Sequence, residues 1–95
     1  MNRRSRLEVN VDIMTALTDG PKSPTRLMYR TNLSWAPLQE CLSYLLTQGL
    51  VEESKHSFRR KLYGLTEKGK NLLSQHADLM KELNHNLLGE EIKTI

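Results

Sequence analysis

The spacing of apolar residues divides the chain into several helical stretches and one short hairpin. In the first stretch, apolar residues recur at the helical spacing of three and four, and an overlapping set alternates as in a strand. The helical set is Val9, Ile13, Ala16 and Leu17, and the alternating set is Leu7, Val9, Val11 and Ile13. The stretch is long for a strand and ends in the stop signal DGP, so it is predicted to be a helix from Arg6 to Asp19.

A second, shorter helix is predicted over Pro24–Arg30. Ser23 precedes it as a typical N-cap, and Pro24 suits the first helical position, where its missing N–H leaves no helical bond unmade. The pair Thr31-Asn32 then interrupts the helical pattern.

The third helix, predicted over Ser34–Gln48, has two very different faces. Ser34 is its expected N-cap, Pro37 lies in the first turn where it breaks no intrahelical bond, and Gly49 is the expected left-handed stop. One face carries an apolar stripe of Leu38, Cys41, Leu42, Leu45 and Leu46. The other face carries Trp35, Ala36, Gln39, Glu40, Ser43 and Thr47, and few of the Lys and Glu residues that cover inert helix surfaces. Such a face is suited to contacting a partner.

Two β-prone runs, LVEES and KLYGLT, predict a hairpin with strands Leu50–Ser54 and Lys61–Leu65. The tip between them carries Lys55, His56, Arg59 and Arg60. Thr66 then caps a helix predicted over Glu67–Leu88, which Gly89 ends, and residues 90–95 are predicted to form a flexible tail. The expected architecture is therefore mainly α with a small β-hairpin, an α+β class, in which residues 1–65 form a head and residues 66–89 a separate helix.

The last helix carries more apolar surface than so small a head can cover, because at 1.5 Å per residue it is about 33 Å long. Three adjacent heptad columns hold Leu72, Leu73, His76, Leu79, Met80, Leu83 and Leu87. We expect two copies of this helix to pair, antiparallel or crossed, in a homodimer. The alternative is that the helix folds back on the first one. His76 would make the pairing sensitive to pH or is a tolerated polar core residue.

Composition and charge narrow the class of protein. The 95 residues suit one domain, and the net charge is +3. Residues 1–65 hold ten Lys/Arg against six Asp/Glu, and the later residues hold four against five. The basic clusters at 3–6 and 55–61 favour an anionic partner such as nucleic acid, although they are also compatible with solvated surface. In the first cluster Arg3, Arg4 and Arg6 are expected to form a loose basic arm.

Membrane insertion and secretion find no support in the pattern. No run approaches the roughly 18 apolar residues of a membrane span, and no apolar segment follows the basic start. Cys41 cannot form an internal disulfide, which fits a reducing compartment, so a cytoplasmic location and no membrane partner are expected. Cys41 is predicted to be a packed core thiol, with a redox switch as the alternative.

Two short helices joined by a brief break form a helix-turn-helix arrangement, and the basic hairpin behind them is placed as a wing. A DNA major groove admits one helix, whose first turn reaches the base edges. The predicted base-facing residues are Ser34, Trp35, Ala36, Gln39, Glu40 and Ser43. The predicted phosphate contacts are Arg26 and Arg30 on the second helix, with Lys55, Arg59, Arg60 and Lys61 on the wing. Glu40 either accepts from a cytosine amino group or is solvated.

Catalytic and metal chemistry is not expected. His56, His76 and His85 lack metal-ligand spacing, and Cys41 has no cysteine partner. The sequence has no glycine-rich phosphate loop, no nucleophile elbow and no carboxylate pair beside a histidine. We therefore expect no enzyme activity and no cofactor. No small-molecule ligand is evident, since so short a chain leaves little room for a pocket.

The runs SPTRLMYRTNLSWAPLQECLSYLLTQGLVEE and YGLTEKGKNLL resemble the small archaeal winged helix-turn-helix proteins, over residues 7–75. That family includes predicted transcriptional regulators and a crenarchaeal chromatin protein that dimerises through a C-terminal coiled coil. The resemblance implies double-stranded DNA as a partner, a homodimer and no enzyme activity. The chain departs from the family pattern in Pro37 and in its longer, more basic hairpin.

Three functions therefore stay open. A dimeric transcriptional regulator that acts at a promoter is favoured. An architectural chromatin protein that binds any sequence is the second, because Gln39 is the sole bidentate base reader on the third helix. A protein-interaction module is the third, in which Trp35 beside Pro37 would be the anchor.

Overall fold

The computed structural model describes residues 4–57 and 60–94, and the side chains of residues 4–54 and 60–85. Its elements are α1 Arg6–Ala16, α2 Pro24–Thr31, α3 Trp35–Thr47, β1 Val51–Ser57, β2 Arg60–Leu65 and α4 Glu67–Thr94. The two strands pair as one antiparallel hairpin. This order confirms the predicted α+β architecture of three helices, a hairpin and a long helix.

Helix α1 is shorter than predicted at its C-terminal end. Ser5 and Glu8 form a capping box, in which each side chain accepts the other residue's amide (3.1 and 2.9 Å). The helix ends at Ala16 rather than at Asp19, because the amide of Leu17 already bonds back three residues in a tighter turn. The stop signal DGP therefore follows the end of the helix by two residues.

The turn between α2 and α3 is built from one left-handed residue. Helix α2 runs one residue further than predicted, to Thr31, and Asn32 closes it at φ 57° and ψ 40°. The hydroxyl of Ser23 accepts the amide of Arg26 (3.3 Å), as the N-cap prediction requires. Ser34 takes the N-cap position of α3, but its hydroxyl makes no cap bond. The predicted N-cap position of α3 is therefore confirmed, without a side-chain cap bond.

The hairpin strands extend further toward the tip than predicted. Strand β1 continues to Ser57, and β2 begins at Arg60. Lys55 pairs with Lys61, and a bulge between Lys55 and Ser57 carries the ladder through residues predicted as loop. Arg59 and the side chain of Lys55 lie outside the described residues.

The core lies where α1, α2 and α3 meet above the base of the hairpin. Ile13, Leu27, Leu38 and Leu45 are its fully buried members, one or more from each helix. Burying one such side chain contributes about 1.5–3 kcal/mol. Strand β1 starts one residue later than predicted because the amide of Leu50 bonds back to α3, at 2.9 Å from the carbonyl oxygen of Leu45.

A backbone bridge fastens the loop between α1 and α2 to the hairpin. Lys22 and Tyr63 exchange backbone hydrogen bonds of 2.9 and 2.8 Å. This bridge fixes the hairpin against the start of α2, and so determines which surfaces of the two elements lie side by side.

Helix α4 begins against the head and extends beyond it. Its first turns pack on α1 and β2, and the molecule measures 60 × 33 × 21 Å along its principal axes. The helix passes through Gly89 and continues to Thr94, so the predicted stop at Gly89 is wrong. A glycine inside a helix costs only about 1 kcal/mol relative to alanine, which adjacent helical turns offset.

Candidate nucleic-acid interface

The outward face of α3 is exposed over its whole length. The apolar stripe is buried, with Leu38, Leu42 and Leu45 each at most 3% exposed, so the opposite face points away from the core. That face places all six predicted base-facing residues at the surface: Ser34, Trp35, Ala36, Gln39, Glu40 and Ser43. Trp35 keeps 47% of its surface exposed although it is the largest side chain of the helix. We refer to these six residues as the α3 face.

An ion pair ties the α3 face to α1. The Nη1 atom of Arg6 lies 2.7 Å from the Oε1 atom of Glu40, and both side chains are 62% exposed. Glu40 is therefore neither a free acceptor nor merely solvated, as the sequence suggested, but paired with a cation. Exposed pairs of this kind contribute little to stability, about 0–1 kcal/mol. Their effect here is to neutralise the carboxylate of the α3 face.

The predicted loose basic arm is wrong for the two of its residues that the structure describes. Ser5 caps α1, so Arg6 is already helical and pairs with Glu40. Arg4 pairs with Asp12 at 2.9 Å and donates to the carbonyl oxygen of Asn32 at 3.4 Å. Acidic partners within reach hold both arginines against the head. Arg3, the third predicted member, lies outside the described residues.

Three cations from distant parts of the sequence line one shallow depression. Arg26 comes from the first turn of α2, and Arg60 and Lys61 come from β2. The remaining walls are Ser23, Pro24 and Thr25 at the start of α2. Lys61 also lies 3.6 Å from Glu53, its exposed neighbour across the hairpin. We refer to Arg26, Arg60 and Lys61 as the basic cleft, which the Lys22–Tyr63 bridge brings together.

Arg30, the other α2 residue predicted to contact phosphate, is paired at a different place. Its Nη2 atom lies 3.2 Å from Asp19, which also accepts a hydrogen bond from the buried ammonium group of Lys22. The Lys22 hydrogen bond is the main reason that the pKa of Asp19 is lowered, with the charges of Lys22 and Arg30 adding to it. Arg30 is 47% exposed at its side chain, so it faces solvent while paired.

Cys41 is buried at 6% exposure, which confirms the predicted core thiol. Burial raises the pKa of this thiol, and the neighbouring charge of Arg6 offsets only part of the effect. A raised pKa keeps the group protonated and unreactive at neutral pH.

The apolar stripe of α4 is only partly covered by the head. Leu73 packs against the core and His76 is half-buried, whereas the later members stay exposed. The exposed fractions are 47% for Leu72, 55% for Leu79, 43% for Met80 and 46% for Leu83. The side chain of Leu87 lies outside the described residues. The start of α4 thus packs on α1, while its exposed stripe continues along the helix toward the end that extends beyond the head.

Tyr29 is an exposed aromatic residue that the sequence pattern did not indicate as a contact. Tyr29 is 88% exposed on α2, and it lies one helical turn from Arg26 on the same face. Its spacing of three residues from Arg26 was the available signal in the sequence.

Neither a metal cluster nor a membrane helix is found in the part of the chain that the structure describes. No three His, Cys, Asp or Glu side chains in that part come together as metal ligands. No described helix combines the length and the apolarity that crossing a membrane requires.

The fold and the α3 face define a winged helix-turn-helix protein, and the chain belongs to that family, whose model matches residues 3–84. An uncharacterised protein of Methanocaldococcus jannaschii is 32% identical over 82 residues, which cover 86% of this chain and 79% of the relative. This membership confirms the resemblance to small archaeal winged helix-turn-helix proteins.

Solved structures with the same fold differ in how much of their length the chain matches. Sso10a-2, a DNA-binding protein from Sulfolobus solfataricus, is similar with a TM-score of 0.72 and 28% identity, over 96% of this chain and 93% of that protein. The transcriptional regulator BldR from the same organism has a TM-score of 0.74 and 22% identity, over 85% of this chain. Rv1404 from Mycobacterium tuberculosis has a TM-score of 0.80 and 16% identity, over 86% of this chain. The chain spans only 60% and 58% of the last two proteins, and at these identities they show the fold alone.

Proposed function

We propose that the chain is a double-stranded DNA-binding protein that regulates transcription as a homodimer. In this proposal α3 enters the major groove, and the wing formed by β1 and β2 lies along the neighbouring backbone. The observation that carries the proposal is the α3 face, an exposed set of small, polar and aromatic side chains on the second helix of a helix-turn-helix. The description of Sso10a-2 as a DNA-binding protein supports it, since that protein matches nearly end to end.

The α3 face and the basic cleft would contact different parts of the DNA. Small side chains at Ala36 and Ser43 let the α3 backbone approach the groove, and Trp35 and Gln39 then reach base edges or sugars. The basic cleft would contact phosphates, which positions the protein and releases counterions. Because Arg6 neutralises Glu40 at 2.7 Å, the carboxylate would repel the backbone less than a free one.

Pairing of the α4 stripes would make the dimer. Leu79, Met80 and Leu83 lie about half in solvent, and a second copy of α4 would cover them. Full burial of a leucine or methionine contributes about 1.5–3 kcal/mol, so covering the exposed half of each contributes about half of that, and the three residues on both chains together favour association. Two α3 helices held in a dimer can then read two half-sites about 34 Å apart on the same side of the duplex.

A second candidate function is an architectural protein that coats DNA regardless of sequence. The α3 face favours it in one respect, because it carries no arginine and Gln39 is its sole bidentate reader of base edges. The basic cleft, by contrast, serves either function equally well, since phosphate contacts carry no sequence information.

Fluorescence anisotropy with a labelled duplex tests the proposal through two matched substitutions. Ser43→Glu places a carboxylate at the C-terminal end of the α3 face, and Ser74→Glu places one on an exposed position of α4. We expect Ser43→Glu to weaken binding about tenfold or more, a cost of at least about 1.4 kcal/mol, and Ser74→Glu to have little effect. Equal effects of the two substitutions would refute the role of the α3 face. Competition with unrelated duplexes then separates a regulator, which discriminates among them, from an architectural protein.

A further inference from the structure

A partly open apolar cavity lies between α1, α3 and α4, on a side of the head that the proposed DNA contacts do not use. Its volume is about 160 Å³. The buried side chains of Met14, Leu45 and Leu50 form part of its wall, and the exposed Leu7 and Leu72 lie at its opening. All of these are aliphatic or thioether groups, so the wall favours an apolar occupant.

The volume of the cavity sets the size of that occupant. An apolar protein cavity of about 150 Å³ is large enough to bind benzene. The cavity therefore accommodates one six-membered ring. This is a ligand-sized site in a chain whose sequence suggested no room for one.

Besides the phenol of the exposed Tyr44 on α3, two polar side chains interrupt the apolar wall. Asn10 from α1 and His76 from α4 both line the cavity. The carboxamide oxygen of Asn10 is buried and has no hydrogen-bond partner among the described residues, which is rare for a buried polar atom. A side-chain amide turns about its last torsion with little preference, so either its oxygen or its nitrogen can be presented to the cavity. A neutral imidazole likewise offers one donor and one acceptor.

We propose that this cavity binds a small phenol-like molecule, a single ring that bears one hydroxyl group. The ring packs against Met14 and Leu45, and the hydroxyl bonds to the carboxamide oxygen or nitrogen of Asn10. A hydroxyl both donates and accepts, so it matches these groups in either orientation.

A bound ring would also contact both α3 and α4, the helices proposed for DNA binding and for dimerisation. Leu45 lies on α3, opposite the α3 face, and His76 lies on α4 among the residues proposed for dimerisation. Filling the cavity braces α3 against α4 and so changes DNA affinity. This coupling rests on the proposed function, whereas the binding of the ring does not.

An NMR titration of the full chain with phenol, and separately with benzene, tests the site. We expect saturable shifts confined to residues around the cavity and an affinity for phenol about tenfold above that for benzene, the effect of one well-formed hydrogen bond. Asn10→Leu should remove this preference and leave benzene binding intact. Leu7→Trp, at an exposed position of the opening, should weaken both ligands, and it gives a second test should Asn10→Leu fail to fold.

Other outcomes would overturn the proposal. Shifts that are absent or spread over the whole surface would show that no site exists. Binding that emerges only when the protein is diluted to monomers would show that a side chain of a second copy occupies the cavity. If phenol binds but leaves DNA affinity unchanged, the coupling is refuted and the site stands. Because the titration needs no DNA, failure of the site and failure of the proposed function remain distinguishable.

Discussion

Replacing Gly69 by alanine should destabilise the protein, although the position is helical. Gly69 lies in the first turn of α4, where the amide of Thr66 donates to the carbonyl oxygen of Leu50 at 3.1 Å. A Cβ atom at position 69 would lie 2.1 Å from that oxygen, 3.0 Å from the carbonyl carbon of Leu50 and 3.2 Å from the Cδ2 atom of Leu65. The nearest obstacles are backbone atoms, so no side-chain rotation relieves the clash.

Two opposing effects decide how much Gly69→Ala changes the free energy of unfolding. Alanine gains about 1 kcal/mol over glycine from helix propensity. An ordinary carbon–oxygen contact is about 3.3–3.6 Å, so α4 would have to move away from Leu50 by more than about 1 Å. That movement weakens the hydrogen bond from Thr66 and the packing of Leu65, and overpacking of this kind costs about 1–3 kcal/mol or more. Because the obstacles are backbone atoms, we take the upper end of that cost, about 3 kcal/mol, and expect a net loss of about 2 kcal/mol, which for a domain of this size lowers Tm by roughly 8–16 °C.

Thermal unfolding followed by circular dichroism at one fixed protein concentration measures the effect, since dimerisation would otherwise shift Tm. Gly49→Ala is the matched comparison. Gly49 has a φ of +73° but no atom within 4 Å of its would-be Cβ, so only backbone strain of about 1–2 kcal/mol opposes the alanine. A Gly69→Ala variant as stable as the wild type would refute the close approach of α4 to Leu50.

Three further predictions concern association, thiol reactivity and acid stability. Replacing both Leu79 and Leu83 by lysine should convert the proposed dimer to a monomer in sedimentation equilibrium, and an unchanged mass would contradict pairing through α4. Cys41 should react with a disulfide reagent at pH 8 far more slowly than a free thiol, because burial raises its pKa; reaction at the rate of an exposed cysteine would exclude a packed thiol. The pKa of Asp19 is lowered, mainly by Lys22, so the stability it contributes is present above about pH 4 and is lost as pH falls through its lowered folded-state value. Asp19→Asn should therefore lose less stability on acidification than the wild type in urea titrations, and parallel curves would contradict the Lys22 hydrogen bond.

Local signals in the sequence predicted the order and type of the elements well. Ser23 and Pro24 specify the start of α2 through cap chemistry, and the apolar stripe from Leu38 to Leu45 specifies the buried side of α3. The exposure of the α3 face followed directly, because a helix that buries one stripe presents the other. The end of α4 was predicted wrongly because one glycine costs less than the adjacent helical turns offset, so the helix passes through Gly89.

Contacts between distant residues could not be predicted from local patterns. The basic cleft joins α2 to β2 through a backbone bridge, and a bridge between Lys22 and Tyr63 has no side-chain signature. The pair of Arg6 with Glu40 depends on how α1 crosses α3, which periodicity does not specify. The cavity beside Asn10 depends on imperfect packing between three helices, and sequence patterns describe which faces are apolar rather than how closely they fit.

The central claim, that the chain binds duplex DNA through the α3 face and the basic cleft, is tested most directly by the salt dependence of binding. If each of the three cleft cations on both chains contacts one phosphate, the slope of log K against log salt is about −5. Replacing Arg26, Arg60 and Lys61 by alanine should make the slope clearly shallower, while replacing Lys70 and Lys81 on α4 should leave it unchanged. No binding at about 50 mM salt, or a slope insensitive to the three cleft substitutions, would contradict the account.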